Sequence, residues 1–294
     1  MPKPLSKRTL DLNSLGHLSH RLGFPLDELE KIASRAEDLY TFTEEPKKNG
    51  GCRIISKPHP RLKRIQKSIH SLLKEIALPP SAHGGVKGRS NLTNAQIHCK
   101  QPYLLNLDLK DFFPNISHYK VFEVFHRKLK CSPAVASLLT RLTTVRGQLP
   151  QGGPMSTDIA NLVLRDTDER LERLSAKYNI NYTRFVDDIS FSGKAIPDAF
   201  IALAKKVILQ SGFQLNTDKE SLIGNGATKQ VTGLFVNRRK PNVPRRNRRE
   251  VRKEAYLFGK YGKNQLEESI YTKRDQQIKG KLAYIDYINR HRNQ

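Results

Sequence analysis

Residues 182–192 read YTRFVDDISFS, in which two runs of strand-forming residues flank an acidic pair. This pattern predicts a β-hairpin with Asp187 and Asp188 at its turn. Two like charges side by side are unfavourable unless a positive charge compensates them. An Asp-Asp pair is also common in ordinary turns, so the pair alone does not decide between a simple turn and a metal site.

A third carboxylate, Asp108, ends the apolar run YLLNLD at residues 103–108, which predicts another short strand. Phosphoryl transfer requires that charge on the attacking and leaving oxygens be neutralised, and two Mg²⁺ ions about 3.5–4 Å apart do this. Because Mg²⁺ prefers oxygen ligands, one or two Asp side chains per ion suffice, together with water and substrate phosphates. An acidic pair between strands, with a third carboxylate ending another strand, therefore favours a two-metal site.

The composition indicates a polyanionic partner. The chain has 294 residues, with 52 Lys and Arg against 28 Asp and Glu, a net charge of +24 and a pI near 10. The electric field of such a positive charge attracts nucleic acid, although a basic protein without that role is the plain alternative.

The three cysteines are widely spaced, which argues against a disulfide framework or a zinc site. With no signal peptide and no bilayer-spanning apolar run, we expect a soluble, cytoplasmic protein without a membrane partner.

The periodicity of apolar residues predicts alternating helices and strands. The predicted helices cover residues 15 to about 40 (as one or two helices), 60–77, from 90, from about 117, 131–142, 156–178, 197–211 and beyond about 245. The predicted strands are 103–108, 181–185, 188–192, 213–216 and 231–236, with a further hairpin around Asn49, Gly50 and Gly51. This pattern predicts an α+β fold.

Three stretches resemble, in order and spacing, successive active-site motifs of reverse transcriptases: LNLDLKDFFPNI at 105–116, LPQGGPMSTDIANL at 149–162 and YTRFVDDISFS at 182–192. Several motifs in the right order form a specific signal, whereas any one of them is weak. The resemblance covers about Lys47 to Val236. It implies an RNA-directed DNA polymerase with a right-hand fold, made of fingers, a palm with an antiparallel sheet and a helical thumb.

The resemblance also implies the catalytic residues. Two Mg²⁺ ions would be held by the carboxylates of Asp108, Asp187 and Asp188 and by the backbone carbonyl of Leu109. Lys219 matches a lysine that can protonate the departing pyrophosphate, although a surface lysine is an equally good interpretation. The chain departs from the family at Phe185, where a Tyr usually precedes the Asp-Asp turn; this leaves the metal ligands untouched.

Phe113 matches the family's steric gate, a ring beneath the sugar that excludes a 2′-hydroxyl and so favours deoxynucleotides (dNTPs). A plain core phenylalanine is the alternative. The other nucleotide contacts that the resemblance implies are the backbone N–H groups of Asp111 and Phe112, the side chain of Gln151, and the phosphate-clamping Arg53 with Lys48 or Lys47 as its companion.

Two further segments resemble motifs of bacterial retron reverse transcriptases. Residues 94–98, NAQIH, match an N-A-x-x-H motif, and residues 231–233 (Val231, Thr232, Gly233) match a V-T-G motif. Asn94 and His98 lie one turn apart on a helix face, where they could brace the palm or touch RNA. The resemblance implies a gene-linked structured noncoding RNA as template and partner, with DNA synthesis primed from the 2′-hydroxyl of a guanosine. The product would be a branched RNA–DNA molecule, msDNA, made in defence against phage together with an effector protein.

Residues 238–253 carry nine basic residues and one acid, which predicts a thumb that grips nucleic acid through its phosphates. Its candidate RNA contacts are Arg245, Arg246, Arg248 and Arg249, with a solvated tail as the alternative. We therefore expect three regions: an N-terminal helical segment at 1–46, fingers and palm at 47–236, and a basic helical thumb at 237–294.

Two rival functions remain open from the sequence. One is a reverse transcriptase of another bacterial system, such as a group II intron enzyme or a defence-associated polymerase; no ribonuclease H or endonuclease segment is visible, which favours a retron enzyme. The other is an RNA-binding scaffold that has lost catalysis, against which the three carboxylates, Phe113 and Gln151 argue.

Overall fold

The computed structural model describes residues 7–47, 50–265 and 268–291, in which helices alternate with short strands. The helices are α1 (Leu15–Leu22), α2 (Leu26–Ser34), α3 (Pro60–Leu73), α4 (Asn91–Ile97), α5 (His118–Glu123), α6 (Pro133–Thr143), α7 (Ser156–Lys177), α8 (Asp198–Gln210), α9 (Arg245–Gln265) and α10 (Glu268–His291). The strands are β1 (Tyr40–Pro46), β2 (Cys52–Pro58), β3 (Tyr103–Asp108), β4 (Asn181–Phe185), β5 (Asp188–Gly193), β6 (Ser221–Ile223), β7 (Gln230–Val231) and β8 (Leu234–Phe235). Short 3₁₀ helices cover Ala36–Leu39 and Thr217–Lys219, and a π-helical turn covers Val124–Lys128.

The central sheet has four antiparallel strands in the order β4-β5-β3-β6. Because side chains alternate along a strand, each strand presents one face to the core and one to the opposite side. The core face carries Leu105, Leu107, Ile189 and Phe191, all of them almost fully buried. The opposite face carries the polar residues of β3 and β5, Asn106, Asp108, Asp188 and Ser190. The sheet therefore separates an apolar core from a polar face, and both strands reach their carboxylates at the same end.

Serine caps set several helix starts where the sequence places them. The Ser132 side chain accepts a hydrogen bond from the Val135 N–H, with Pro133 in the first turn of α6. Ser90 and Thr93 form a reciprocal capping box at the start of α4. These local signals fix the residues at which α4 and α6 begin. Helix α4 then packs against β4, and α6 packs against α2 and α5.

A separate apolar cluster joins the C-terminal helices to the palm. It contains Leu92 and Ala95 of α4, Val231 and Leu234 of the β7–β8 hairpin, Val243, and Ile285 and Ile288 of α10, among other residues. Helices α9 and α10 pair through Glu254, which forms ion pairs with Arg274 and Lys281. The last two helices thus form a hairpin that is docked on the palm by apolar packing.

The α+β class and the central antiparallel sheet are confirmed, and so is the β1–β2 hairpin. Two strand predictions are wrong. Residues 213–216 form only an isolated bridge between Leu109 and Leu215, because their backbone is used to cap the catalytic end of β3. Residues 231–236 are not one strand: Thr232 and Gly233 take φ angles of 45° and 80°, which turn the chain into the β7–β8 hairpin.

No helix among the described residues is both long enough and apolar enough to cross a lipid bilayer.

Candidate active site

The three carboxylates named from the sequence lie together at one end of the central sheet. Asp108 is the cross-strand partner of Asp188, and such a pair has its Cβ atoms ~4.5–5.5 Å apart. Asp187 lies in the turn beside them, and its backbone carbonyl accepts a hydrogen bond of 3.2 Å from the Leu109 N–H. Asp108 is buried, Asp187 is half-buried and Asp188 is exposed. One ligand or ion approaching from solvent would therefore meet all three.

A positive charge stands beside these carboxylates. The ammonium of Lys219 donates to Asp108 Oδ1 at 3.0 Å, and the Asn216 amide lies 3.4 Å from Asp108 Oδ2. Partial desolvation acts to lower the pKa of Lys219, but its hydrogen bond to Asp108 and the nearby carboxylates raise it overall. Lys219 therefore holds its proton firmly in this arrangement.

The carboxylates repel one another. Desolvation and the charges of Asp187 and Asp108 raise the pKa of Asp188 to about 7. The pKa of Asp187 is also raised, by desolvation first and then by Asp108. The site therefore has the electrostatic character of one that a cation would stabilise.

The donor set fits magnesium. Within the described ranges no three His, Cys, Asp or Glu side chains form a ready-made metal cage. Mg²⁺ does not need one, because it is usually bound by one or two carboxylates completed by water and substrate phosphates. The paired Asp108 and Asp188 with adjacent Asp187 supply such oxygens, and the Lys219 ammonium occupies the place of a compensating cation.

A buried network holds the Asp-Asp turn in place. Arg184, only 1% exposed, donates to both oxygens of Asp168 at 2.8 and 2.6 Å, and to the Val186 carbonyl at 2.8 Å. Val186 itself has a φ of 62°, which is unusual for a β-branched residue. The same guanidinium binds Asn161 at 2.9 Å. The turn is therefore tied directly to helix α7.

A glycine permits the turn to be braced from a second side. A Cβ atom on Gly84 would lie 2.6 Å from Val186 Cγ2 and from its backbone nitrogen, so only glycine fits there. The Gly84 carbonyl accepts from Asn161 at 2.9 Å. Sequence reasoning missed Gly84, Asn161, Asp168 and Arg184. The Gly84-Gly85 pair and an arginine within an apolar strand were the available signals.

The two phenylalanines after β3, Phe112 and Phe113, differ in burial. Phe112 is buried against Phe213, with ring centroids 5.4 Å apart, whereas Phe113 is only partly buried at the edge of the main core. Asp111 precedes them with a φ of 43° and forms an ion pair of 3.2 Å with Lys47. Phe113 thus keeps part of its ring accessible.

The LPQGGP loop, residues 149–154, contacts the β1–β2 hairpin, which is the predicted fingers hairpin. The Ser56 N–H of β2 donates to the Gln151 carbonyl at 2.8 Å. Gly152 has a φ of 124°, and a Cβ there would lie 3.0 Å from the Ser56 carbonyl, so the close approach requires glycine. On the same hairpin Arg53 is exposed and lies 3.4 Å from Glu45, its cross-strand partner. Lys48 lies outside the described residues.

The N-A-x-x-H and V-T-G segments meet each other. His98 is fully buried and bonded to Ser192 and Thr183, both at 2.7 Å. Asn94, 1% exposed, lies 3.4 Å from the Thr232 hydroxyl. Burial of Asn94 and His98 is incompatible with direct RNA contact by their side chains and favours the other interpretation, in which they brace the palm. Val231 is also buried, which leaves Thr232 and Gly233 at the hairpin tip as the accessible part.

The basic segment begins α9 as expected. Three of its arginines, Arg245, Arg246 and Arg249, are exposed, and Arg248 is half-buried. Arg246 pairs with Glu250 one turn on, at 2.7 Å. The arginines form a cationic surface at the start of the C-terminal helical hairpin.

Comparison with known proteins gives consistent matches. The family model described as "Reverse transcriptase (RNA-dependent DNA polymerase)" matches residues 45–236. The chain is 30% identical over 285 residues to the retron Se72 reverse transcriptase of Salmonella heidelberg, covering 94% of this chain and 75% of that protein. It is 29% identical over 250 residues to the retron Ec86 reverse transcriptase of Escherichia coli, covering 83% and 78%. Among solved structures, the telomerase of Candida albicans in complex with a fragment of telomeric RNA gives a TM-score of 0.45 at 11% identity, covering 74% of this chain and 49% of that one.

Proposed function

The chain belongs to the reverse transcriptases and, within them, to the retron reverse transcriptases, and from that premise we propose that it copies a gene-linked structured noncoding RNA into msDNA. It is an RNA-directed DNA polymerase with a right-hand fold. The observation that supports the proposed chemistry is the cross-strand pairing of Asp108 with Asp188, beside Asp187, in the motifs of this family.

We propose that Asp108, Asp187, Asp188 and the Leu109 carbonyl hold two Mg²⁺ ions. When bound, these ions neutralise charge on the attacking and leaving oxygens of nucleotidyl transfer. The carboxylates supply the oxygen ligands, and the network around Arg184 keeps the turn that carries two of them from shifting.

We propose Lys219 as the donor of a proton to the departing pyrophosphate. An ammonium is protonated at neutral pH, and this side chain remains about half exposed. Its hydrogen bond to Asp108 places that proton beside the carboxylates. The proposal therefore makes Lys219 a general acid within the same site.

We propose that the incoming nucleotide binds next to the three carboxylates. Phe113 would lie beneath the sugar and exclude the 2′-hydroxyl. The remaining proposed contacts of the incoming dNTP are Arg53, Lys48, the backbone of Asp111 and Phe112, and Gln151. The hydrogen bond between Ser56 and Gln151 supports this grouping, because it holds the fingers hairpin against the loop that carries Gln151.

We propose that the arginines at the start of α9 bind the RNA and its DNA product through phosphates, with Thr232 and Gly233 at the adjacent hairpin tip. Residues 237–294, which contain α9 and α10, would be the thumb, residues 47–236 the fingers and palm, and residues 1–46 an N-terminal helical segment. Priming from an RNA 2′-hydroxyl, a cytoplasmic location and a role in phage defence with an effector protein complete the proposal.

Sequencing of the nucleic acid that copurifies with the protein tests this function. A retron enzyme carries one short DNA joined to one RNA, whereas varied or unlinked products would favour another bacterial reverse transcriptase.

Asp187→Asn and Asp188→Asn should each abolish DNA synthesis but leave RNA binding intact, because an amide cannot supply the charge that Mg²⁺ needs. Asp27→Asn, an exposed change in α2, is the matched control. DNA synthesis retained in either active-site variant would contradict the assignment.

A further inference from the structure

Helix α3 and its C-cap carry a stripe of basic side chains that the catalytic site does not use. Lys63, Lys67, His70 and Lys74 recur at i, i+4, i+7 and i+11, so they lie along one face. At 1.5 Å per residue the stripe is about 16 Å long. The helix sequence, PRLKRIQKSIHSLL, contains no acidic residue that would offset this charge.

The outer half of the stripe has no anionic partner within the protein. Lys63 and Lys67 are both exposed, and neither forms an ion pair with any residue that the structure describes. Like charges one turn apart destabilise a helix, and Lys63 and Lys67 stand in that relation. The arrangement is therefore unfavourable for α3 by itself and becomes favourable when an external polyanion binds.

The surface beside this half is concave. Two adjoining grooves of about 490 and 400 Å³ share Pro60 and Arg64; Phe24 lines the first, and Lys63 and Lys67 line the second. The Arg64 guanidinium lies 5.9 Å from the centre of the Phe24 ring, on which it is held. The one acid that lines them is already neutralised, since Glu28 pairs with Arg61 at 3.1 Å.

The inner end of the stripe leads to the catalytic turn. Lys74 donates to the Gly85 carbonyl at 3.0 Å, and Gly84 packs directly on Val186 of the Asp-Asp turn. The acid at this end, Asp158, is buried and bonded to His70. His70 and Lys74 both pair with this acid, so the unpaired part of the stripe is Lys63 and Lys67.

We propose that Lys63, Arg64 and Lys67 form a binding site for the phosphates of single-stranded RNA on the exposed face of α3. Exposed cations spaced along one face contact successive phosphates of a strand, and the ring and prolines of the grooves offer apolar surface to its bases. The choice of RNA as the polyanion rests on the proposed function, in which this chain copies RNA.

Binding of a short, unstructured, fluorescently labelled RNA, measured by anisotropy at several KCl concentrations, tests the site. Lys63→Gln combined with Lys67→Gln should weaken binding and reduce the slope of log Kd against log salt by about 1.4, since each single-strand phosphate contact contributes about 0.7. The matched control combines Lys177→Gln on α7 with Lys206→Gln on α8, two exposed lysines removed from α3 in sequence. The control should keep the wild-type slope.

Replacement of both α3 lysines by arginine should restore affinity and slope, because the charge is kept; this separates a charge effect from a folding defect. Equal slopes for the α3 glutamine pair and the control pair would overturn the site. The measurement needs no turnover, so a protein that binds RNA at α3 but fails to polymerise would count against the proposed function alone.

Discussion

Among the residues that the structure describes, Arg184 is the largest side chain that is almost completely buried, and its charge is paired with Asp168. Burial acts to lower its pKa, but Asp168 raises it overall, so the guanidinium stays charged. Tyr182 also donates to Asp168, at 2.6 Å. At the scale of single residues, the buried ion pair of Arg184 and Asp168 fixes the guanidinium that donates to the Val186 carbonyl. It thereby holds the turn that carries Asp187 and Asp188. Such pairs favour one geometry more than they add stability.

Asp168→Asn should lower the free energy of unfolding by about 3–5 kcal/mol, because it leaves the Arg184 charge buried without a counter-ion. Urea unfolding followed by circular dichroism measures the change. Glu123→Gln, which removes the partner of the exposed Arg127, is the control and should have a much smaller effect. A loss no larger than that of the control would show that Arg184 needs no anionic partner.

Phe113→Val should admit ribonucleotides, because a smaller side chain leaves room for the 2′-hydroxyl. One lost steric contact is typically worth ~1–3 kcal/mol, so the ratio of kcat/KM for a deoxynucleotide over its ribonucleotide should fall about 10- to 200-fold. Phe122→Val, at a half-buried phenylalanine of α5, is the matched control and should keep the ratio. An unchanged ratio in an active Phe113→Val enzyme would show that this ring is ordinary core.

At the scale of elements, the two segments that resemble retron motifs, in α4 and in the β7–β8 hairpin, contact each other and helix α10. Helix α4 contacts the β7–β8 hairpin through Asn94 and Thr232, and α10 reaches α4 through the Tyr284 hydroxyl, bonded to Asn91. Ile288 of α10 is fully buried in the same cluster. The orientation of the α9–α10 hairpin on the central sheet therefore depends on the packing of these three elements.

Ile288→Ala should loosen α10 from the palm, since truncating a buried Ile typically costs 2–5 kcal/mol. Hydrogen exchange should show faster exchange across α10 than in the wild type, while β3 and β5 remain protected. Ile270→Ala is the matched control, because Ile270 lies in the same helix and is 50% exposed. Equal exchange in the two variants would mean that the apolar cluster does not hold the helix.

At the scale of the whole molecule, a net charge of +24 acts against the compact state through self-repulsion. The chain contains clusters such as α3 and the start of α9 in which cations lie close together. Bound nucleic acid would relieve this repulsion, as would salt, which screens charges over distances longer than the Debye length.

Raising NaCl from about 0.1 M to about 1 M shortens the Debye length from ~10 to ~3 Å and should raise the urea midpoint of unfolding. The same salt change should weaken RNA binding, because phosphate contacts lose affinity as salt rises. As NaCl rises, the urea midpoint of unfolding should therefore increase while the affinity for RNA decreases. A urea midpoint that falls with salt would show that surface ion pairs outweigh the self-repulsion.

Much of the fold and the candidate site could be predicted because the signals are local. The strands around Asp108 and the Asp187-Asp188 turn follow from alternation and turn chemistry within a few residues. Helix starts at Ser90, Ser117 and Ser132 follow from capping. The order of the motifs along the chain then indicated which carboxylates belong together.

The sequence by itself thus determined β3, β4 and β5, the turn between β4 and β5, and the chemical character of the carboxylates. Only the tertiary structure decided that Lys219 meets Asp108, 111 positions away, and that Arg184 is anchored by Asp168. It also decided that His98 is buried against β4 and β5, and that residues 231–236 fold back as a hairpin. Local periodicity records which face of an element is apolar, but the partner of that face depends on chain closure over many residues, and contacts between distant side chains leave no periodic trace in the sequence.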